Sequence, residues 1–540
     1  MAKKLRIVIA QLNLPVGDLE GNLQKHLEAA QQARDLYKAD IIVFPELSLT
    51  GYPPEDLLLR KDFIVSTQQY LHTLRDNIKD IHCLVGHPHA TEQGLLNACS
   101  LIYNGTILGR YAKQHLPNYT VFDEYRYFIP GNATCVIPIR GIPVGVVICE
   151  DLWQPGPVQQ AATQGARIIL SPNASPFELD KHEQRVATLS KRAKLNRLPI
   201  IYANQIGGQD ELIFDGDSMV IDEQGQVRQL VGFTQEALHP VDIEVSSTET
   251  KIETIPFHLA NTEEMVYRYL VMGVRDYIEK NHFPGAIIGV SGGIDSALTL
   301  AIAVDALGTR RVTPVYLPSR YNADISQEDA SHLCQNLGLN LLTLSIENCY
   351  ESFLKTLTPI FKDQTVNVTE ENLQSRCRGV LLMALSNKTG RLVLTTGNRS
   401  EMAVGYATLY GDMAGGFAVL KDAPKTLVYR LAQHRNLLSP VIPERTLTRA
   451  PTAELAPNQK DEDTLPSYSQ LDPILDLYLN QEKSLDEIVQ QGFNPEVVAK
   501  IIRMISRNEY KRRQAPVGIR LNFKSFGKDR RYPITSGYKD

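Results

Sequence analysis

The chain has 540 residues, more than one domain of roughly 100–200 residues holds, so two large domains are expected. Hydrophobic residues make up 43% and charged residues 22%, and the 35 Gly and 30 Pro follow no collagen-like period, which excludes a disordered or fibrous chain. Acids outnumber bases 61 to 56, a net charge of −5 that disfavours a grip on nucleic acid.

No apolar run approaches the ~18–20 residues of a membrane span. The basic N-terminus has no signal-peptide core behind it and reads as a first strand. Seven cysteines at irregular spacings, with no CxxC, argue against a disulfide framework or a zinc cage. A cytoplasmic protein with neither membrane nor nucleic-acid partner is expected.

In chain order, β-branched runs at 6–10, 40–44, 83–86, 144–148, 167–170 and 200–204 alternate with helical patterns such as 22–37 and 180–196, which is α/β patterning. Glu46 follows the run at 41–45, Lys113 follows a strand-like stretch at 106–112, and Cys149 follows the run at 142–148. Ligands of α/β sheets bind at the carboxyl ends of strands, so three reactive side chains on three such ends can converge. A thiol of pKa ~8.5 needs a base or a nearby cation to act as thiolate. A carboxylate can take its proton, and an ammonium can stabilise the thiolate and a later oxyanion. A lone cysteine after a strand is more often a small buried hydrophobe, and Cys83, Cys99, Cys135, Cys334, Cys349 and Cys377 are read that way.

Cys149 differs through its context. The strings Glu46-Leu47-Ser48-Leu49-Thr50-Gly51-Tyr52, Lys113-Gln114-His115-Leu116-Pro117-Asn118-Tyr119 and Ile148-Cys149-Glu150-Asp151-Leu152-Trp153 resemble the nitrilase/amidase superfamily over about residues 5–245, in family order. The resemblance implies an α-β-β-α sandwich with Cys149 as nucleophile, Glu46 as general base and Lys113 as the oxyanion-stabilising cation. Glu124 stands where that family often has a second glutamate. The strings from Leu116 to Glu124 and from Ser171 to Phe177 resemble the glutaminase branch of the NAD synthetases. That branch implies glutamine held by Tyr119, Ser175 and Lys181.

Around 235–260 the periodicity weakens, and Ser246-Ser247-Thr248-Glu249-Thr250 is polar, so 246–261 is read as a linker between domains at 1–245 and 262–540. A second series follows, with a helix at 263–280, strands at 286–290, 311–316, 340–344 and 392–396, and helices at 296–307, 326–337 and 372–386 between them. This order implies a parallel sheet. Between its first strand and the next helix lies Gly289-Val290-Ser291-Gly292-Gly293-Ile294-Asp295-Ser296. Its glycines admit close backbone approach, and successive N–H groups at a helix start hold an anion. Ser291 and Ser296 add hydroxyls, Asp295 can hold Mg²⁺, and no Walker A lysine is present.

This loop resembles the N-type ATP pyrophosphatases. The strings around Arg320, Asn372, Thr396-Gly397-Asn398-Arg399-Ser400-Glu401, Thr452 and Glu509-Tyr510-Lys511-Arg512-Arg513 resemble the NAD synthetase family. The resemblance implies a Rossmann-like domain binding ATP through Gly289–Ser296, Arg320, Thr396, Lys421 and Thr452. It implies deamido-NAD⁺ binding by Asn372, Glu401 and Lys511, with Mg²⁺ on Asp295 and Glu401. Leu409 stands where ammonia-dependent relatives often carry lysine. The stretch 446–467 reads as a surface loop or lid, and 511–531 as a basic tail. Together the halves resemble the glutamine-dependent NAD⁺ synthetases, which implies ATP-driven amidation of deamido-NAD⁺ with ammonia from glutamine; the linking of two active sites in one chain leads us to expect a homo-oligomer.

Overall fold

The computed structural model describes residues 2–362, 364–456, 459 and 461–538. The chain divides into two compact units between Ala260 and Asn261.

In the first unit, alternation along Lys3–Gln11 sets the layering. Ile7 and Ile9 point to one face, and Val8 and Ala10 to the other. This strand lies in a seven-stranded sheet ordered Thr250–Ile252, Ala237–Val245, Lys3–Gln11, Ile41–Val43, His82–Ala90, Leu95–Tyr103, Thr106–Ala112. A six-stranded sheet runs Val227–Leu230, Met219–Ile221, Ile200–Asn204, Ile168–Asn173, Ile142–Val146, Cys135–Ile139. Ile7, Ile9, Ile41 and Val43 of the first sheet share one core with Val144, Val146, Ile168 and Leu170 of the second. The opposite faces are covered by helices. Val8 and Ile42 pack with Leu19–Asp35 and Lys61–Asn77, and Ile169 and Tyr202 with Gly156–Thr163 and Lys181–Asn196. The unit is thus a sandwich of helix, sheet, sheet and helix.

The polar stretch read as the start of a linker is not free. Thr250–Ile252 pairs antiparallel with Ile243–Val245 and closes the edge of the large sheet. Ile255 N also donates to Arg228 O at 2.9 Å. A short polar strand satisfies its backbone on a sheet edge without apolar periodicity, which is why composition did not mark it.

In the second unit, five parallel strands run in the order Leu342–Thr343, Val312–Tyr316, Ala286–Gly289, Leu392–Thr395, Phe417–Ala418. The third and fourth expected strands are present, the former cut to two residues, and Phe417–Ala418 adds an edge that the sequence did not signal. Helix starts follow capping chemistry. Asn261 Oδ1 accepts from Glu264 N, and Asn367 forms a capping box with Glu370. The expected lid at 446–467 has the short helix Glu444–Thr448 at its start, and residues 457, 458 and 460 of it lie outside those described. Among the described residues no helix is long and apolar enough to cross a membrane, and all seven cysteines are unpaired.

The backbone that carries Glu46 crosses strand His82–Ala90 at Gly86. A Cβ there would lie 2.3 Å from Leu47 N and 2.7 Å from Pro45 O. Gly86→Ala is therefore expected to destabilise the first unit by about 1–3 kcal/mol. Urea unfolding followed by fluorescence checks this, and an unchanged midpoint contradicts it.

Candidate active sites

Cys149 lies where strand Ile142–Val146 runs into the short helix Cys149–Leu152. Its φ of +44° puts a non-glycine residue in the left-handed region, a conformation that persists where surrounding structure enforces it. Asp151 is the enforcing group. Its buried carboxylate accepts from Ile148 N at 3.2 Å, Gln114 N at 3.1 Å, His115 N at 2.9 Å and the Tyr111 hydroxyl at 2.8 Å. One side chain thereby ties the turn at Cys149 to the chain just after Lys113.

Lys113 is fully buried and donates to Glu46 Oε1 at 2.6 Å and to Glu124 Oε1 at 2.8 Å. Asn97 Nδ2 donates to the same Glu46 oxygen at 2.7 Å and reaches Glu124 Oε2 at 3.4 Å. The Tyr52 hydroxyl donates to Glu124 Oε1 at 2.9 Å. Glu124 therefore has both oxygens engaged, whereas Glu46 Oε2 is buried without a hydrogen-bond partner. Burial drives Glu124 towards its neutral form and the charge on Glu46 adds to this, while Lys113 opposes both. Burial works against the Lys113 ammonium, but Glu124 and Glu46 outweigh it and keep the group charged. Burial lifts the Cys149 thiol well above its ordinary range. The Glu46 charge adds to that, and Lys113 pulls the other way. Burial and the Glu46 charge thus favour the thiol form of Cys149, and Lys113 opposes them.

The residues expected to contact glutamine have these partners. The Tyr119 hydroxyl donates to Glu150 Oε2 at 2.8 Å, on the residue that follows Cys149. Lys181 Nζ lies 3.6 Å from Glu178 and 4.9 Å from the centroid of the Trp153 ring. Ser175 is held from below. Its N–H donates to Asn204 Oδ1 at 2.9 Å, and its hydroxyl accepts from Arg185 at 3.3 Å. Arg185 is buried on Asp215 at 3.1 Å and Asp217 at 2.7 Å. Sequence reading missed Asn97, Arg185 and this aspartate pair, whose contacts to Glu46 and across Arg185–Asp215 span 51 and 30 residues, and it gave Asp151 no role although it lies in the Cys149 string.

In the second unit a cavity of about 300 Å³ is lined by Gly289 through Ser296, Thr396, Glu401 and Thr452, together with Arg378, Asp412, Lys425, Glu454 and Asp461. The turn carrying Ser291 is braced internally. Gly293 N donates to Ser291 Oγ at 3.3 Å, and the Ser296 hydroxyl donates to Gly293 O at 3.0 Å. Gly292 has φ +84°, and a Cβ on it would lie 2.5 Å from Ser326 O, so only glycine fits. Asp295 and Glu401 meet on a shared cation. Lys425 Nζ donates to Asp295 Oδ2 at 2.5 Å and Glu401 Oε1 at 3.2 Å, and Asn398 Nδ2 donates to Asp295 Oδ1 at 2.8 Å. Burial raises the Glu401 carboxyl, Lys425 resists, and Asp295 adds to the rise.

Four expected ligand contacts lie outside the cavity lining. Lys421 sits behind it, its ammonium donating to Pro516 O at 2.6 Å, and Lys425 is the lysine that enters. Arg320 is exposed and paired with Glu347 and Glu351, each at 2.6 Å. Asn372 Oδ1 accepts from Thr408 at 2.8 Å, and Lys511 donates to Gly405 O at 2.8 Å and Ala407 O at 2.9 Å.

The carbon-nitrogen hydrolase family model matches residues 6–252, and the NAD synthase family model matches residues 266–515. The chain is 46% identical over 540 residues to the glutamine-dependent NAD(+) synthetase of Acinetobacter baylyi, covering 99% of each. It is 43% identical over 577 residues to that of Thermotoga maritima, covering all of both. A solved structure of the glutamine-dependent NAD⁺ synthetase from Acinetobacter baumannii, in complex with ADP, superposes with a TM-score of 0.81 at 44% identity over the whole of both chains.

The raised thiol gives an optical test. The thiolate absorbance near 240 nm that distinguishes the unmodified protein from Cys149→Ala is expected to stay flat from about pH 6 to 9. A titration centred near neutral pH would contradict the resting thiol.

Proposed function

This chain belongs to the glutamine-dependent NAD(+) synthetase family, and we propose that Cys149 and the Gly289–Ser296 cavity divide its reaction. The enzyme is a ligase that amidates deamido-NAD⁺ to NAD⁺, consuming ATP and glutamine and releasing AMP, pyrophosphate and glutamate.

At Cys149, Glu46 Oε2 takes the thiol proton as sulfur attacks the side-chain carbonyl of glutamine. The Lys113 ammonium faces the oxyanion, which is worth most in a dry site. Collapse of the tetrahedral adduct breaks the C–N bond, and Glu46 returns its proton to the leaving nitrogen. Water, deprotonated by the same oxygen, then cleaves the thioester to glutamate and restores the thiol. The observation that carries this assignment is the buried Oε2 of Glu46, left without a hydrogen-bond partner while Lys113 and Asn97 hold its other oxygen. Tyr119, Ser175 and Lys181 are assigned to hold glutamine.

In the second unit the nicotinate carboxylate attacks the α-phosphorus of ATP, pyrophosphate leaves, and ammonia displaces AMP from the adenylate. We assign the phosphates to the N–H groups of the 289–296 turn, with Thr396 and Thr452 on the same cavity wall. Asp295 and Glu401 fit Mg²⁺, since two carboxylates already converge on a single cation and hard oxygen donors with substrate phosphates suit that ion. Mg²⁺ held there would neutralise phosphate charge. Lys425 contributes a fixed positive charge between the same carboxylates.

Cys149→Ala is expected to abolish glutamine-driven NAD⁺ formation and to retain formation from added ammonium. Asp295→Asn is expected to cut pyrophosphate release about 100-fold or more while sparing glutamine hydrolysis. Coupled assays of NAD⁺, glutamate and pyrophosphate on both variants check this. Loss of both activities in either folded variant contradicts the division.

A further inference from the structure

We infer that Asn97 is a positioning residue that decides which carboxylate of the Cys149 cluster acts as the base. The inference rests on the assignment of Glu46, Lys113 and Cys149 above. Asn97 lies on strand Leu95–Tyr103, opposite Pro88, and is almost wholly buried. Its carbonyl oxygen accepts from Lys113 N at 2.8 Å, so its backbone fixes where the lysine leaves the sheet. Its side-chain nitrogen donates to Glu46 Oε1 and Glu124 Oε2. One residue therefore sets the height of the cation and the rotation of both carboxylates.

The consequence lies in the count of donors. With Lys113 and Asn97 both on Oε1, Glu46 is pinned with Oε2 facing no protein donor. A proton acceptor works best when its accepting lone pair is not already spent, and a pinned carboxylate keeps that oxygen in place through both half-reactions. Glu124, with Lys113 and Tyr52 on one oxygen and Asn97 on the other, has no such oxygen left. Asn97 Oδ1 is itself buried without a partner, an unmet acceptor tolerated when the two N–H bonds are worth more than its loss. The charged and titratable groups facing the amide are Glu46, Glu124 and Lys113, with Tyr52 and Cys149 beside them.

The test uses the full-length enzyme with two variants. Asn97→Leu keeps the branching at Cγ and removes the donor. It is expected to lower kcat for glutamine hydrolysis about 10²-fold, to leave the glutamine KM within about threefold, and to leave ammonium-driven NAD⁺ formation unchanged. Asn97→Asp keeps the shape and adds a third carboxylic acid to the cluster. Its glutaminase rate relative to the unmodified enzyme is expected to rise as pH falls, because the acid donates only when protonated. A purely structural role would not produce that reversed trend. If both variants hydrolyse glutamine with the unmodified kcat and pH profile, the inference is overturned. It is also overturned if the loss lies entirely in KM. A Cys149→Ala control separates the two levels. If that variant still hydrolyses glutamine, the cysteine assignment itself falls. If it does not while the Asn97 variants behave normally, only the role of Asn97 falls.

Discussion

One buried ammonium shared by two carboxylates organises the first unit. Lys113 and Glu46 leave strands of one sheet, and Cys149 leaves a strand of the other. They meet only because Ile7, Ile9, Val144 and Val146 lock the two sheets face to face. Removing one partner of a buried, hydrogen-bonded ion pair costs about 3–5 kcal/mol, so the cluster constrains the fold as well as the chemistry. With one positive charge for two acids, burial biases the Glu124 carboxyl towards neutrality and the charge on Glu46 adds to this. Glu46 keeps one oxygen without a hydrogen-bond partner, and burial favours the thiol form of Cys149.

The second unit uses the same electrostatics for a different end. Lys425 pairs with Asp295 and Glu401 beside the Gly289–Ser296 turn that lines the cavity. Here the acids are arranged to share a cation rather than to compete for a proton. The segment from Arg449 to Glu454 lines the cavity and is anchored by the Arg449–Glu454 pair at 2.7 Å and by Ser326 donating to Glu454 at 2.6 Å. Anchors of this kind link the wall that carries Thr452 to the helix after the second strand.

The sheets and the strand-end positions of Glu46, Lys113 and Cys149 were legible because apolar runs of the right length end in polar, reactive residues. The phosphate turn was legible because its glycines and hydroxyls are contiguous. What escaped were residues whose role depends on distant partners. Asn97 is 51 residues from Glu46, and Lys425 is 130 from Asp295, so no local pattern links them. Lys421 is expected as a phosphate contact through the resemblance, and the fold puts its ammonium on Pro516 O. The edge strand Thr250–Ile252 was hidden by its polar composition.

The account turns on Glu46, rather than Glu124, being the base. Intact-mass measurement of the acyl-thioester after rapid quenching with glutamine tests that directly in Glu46→Gln and Glu124→Gln. The account predicts no acyl adduct on Cys149 in Glu46→Gln, and slower but detectable acylation in Glu124→Gln. Normal acylation in Glu46→Gln with none in Glu124→Gln would contradict it.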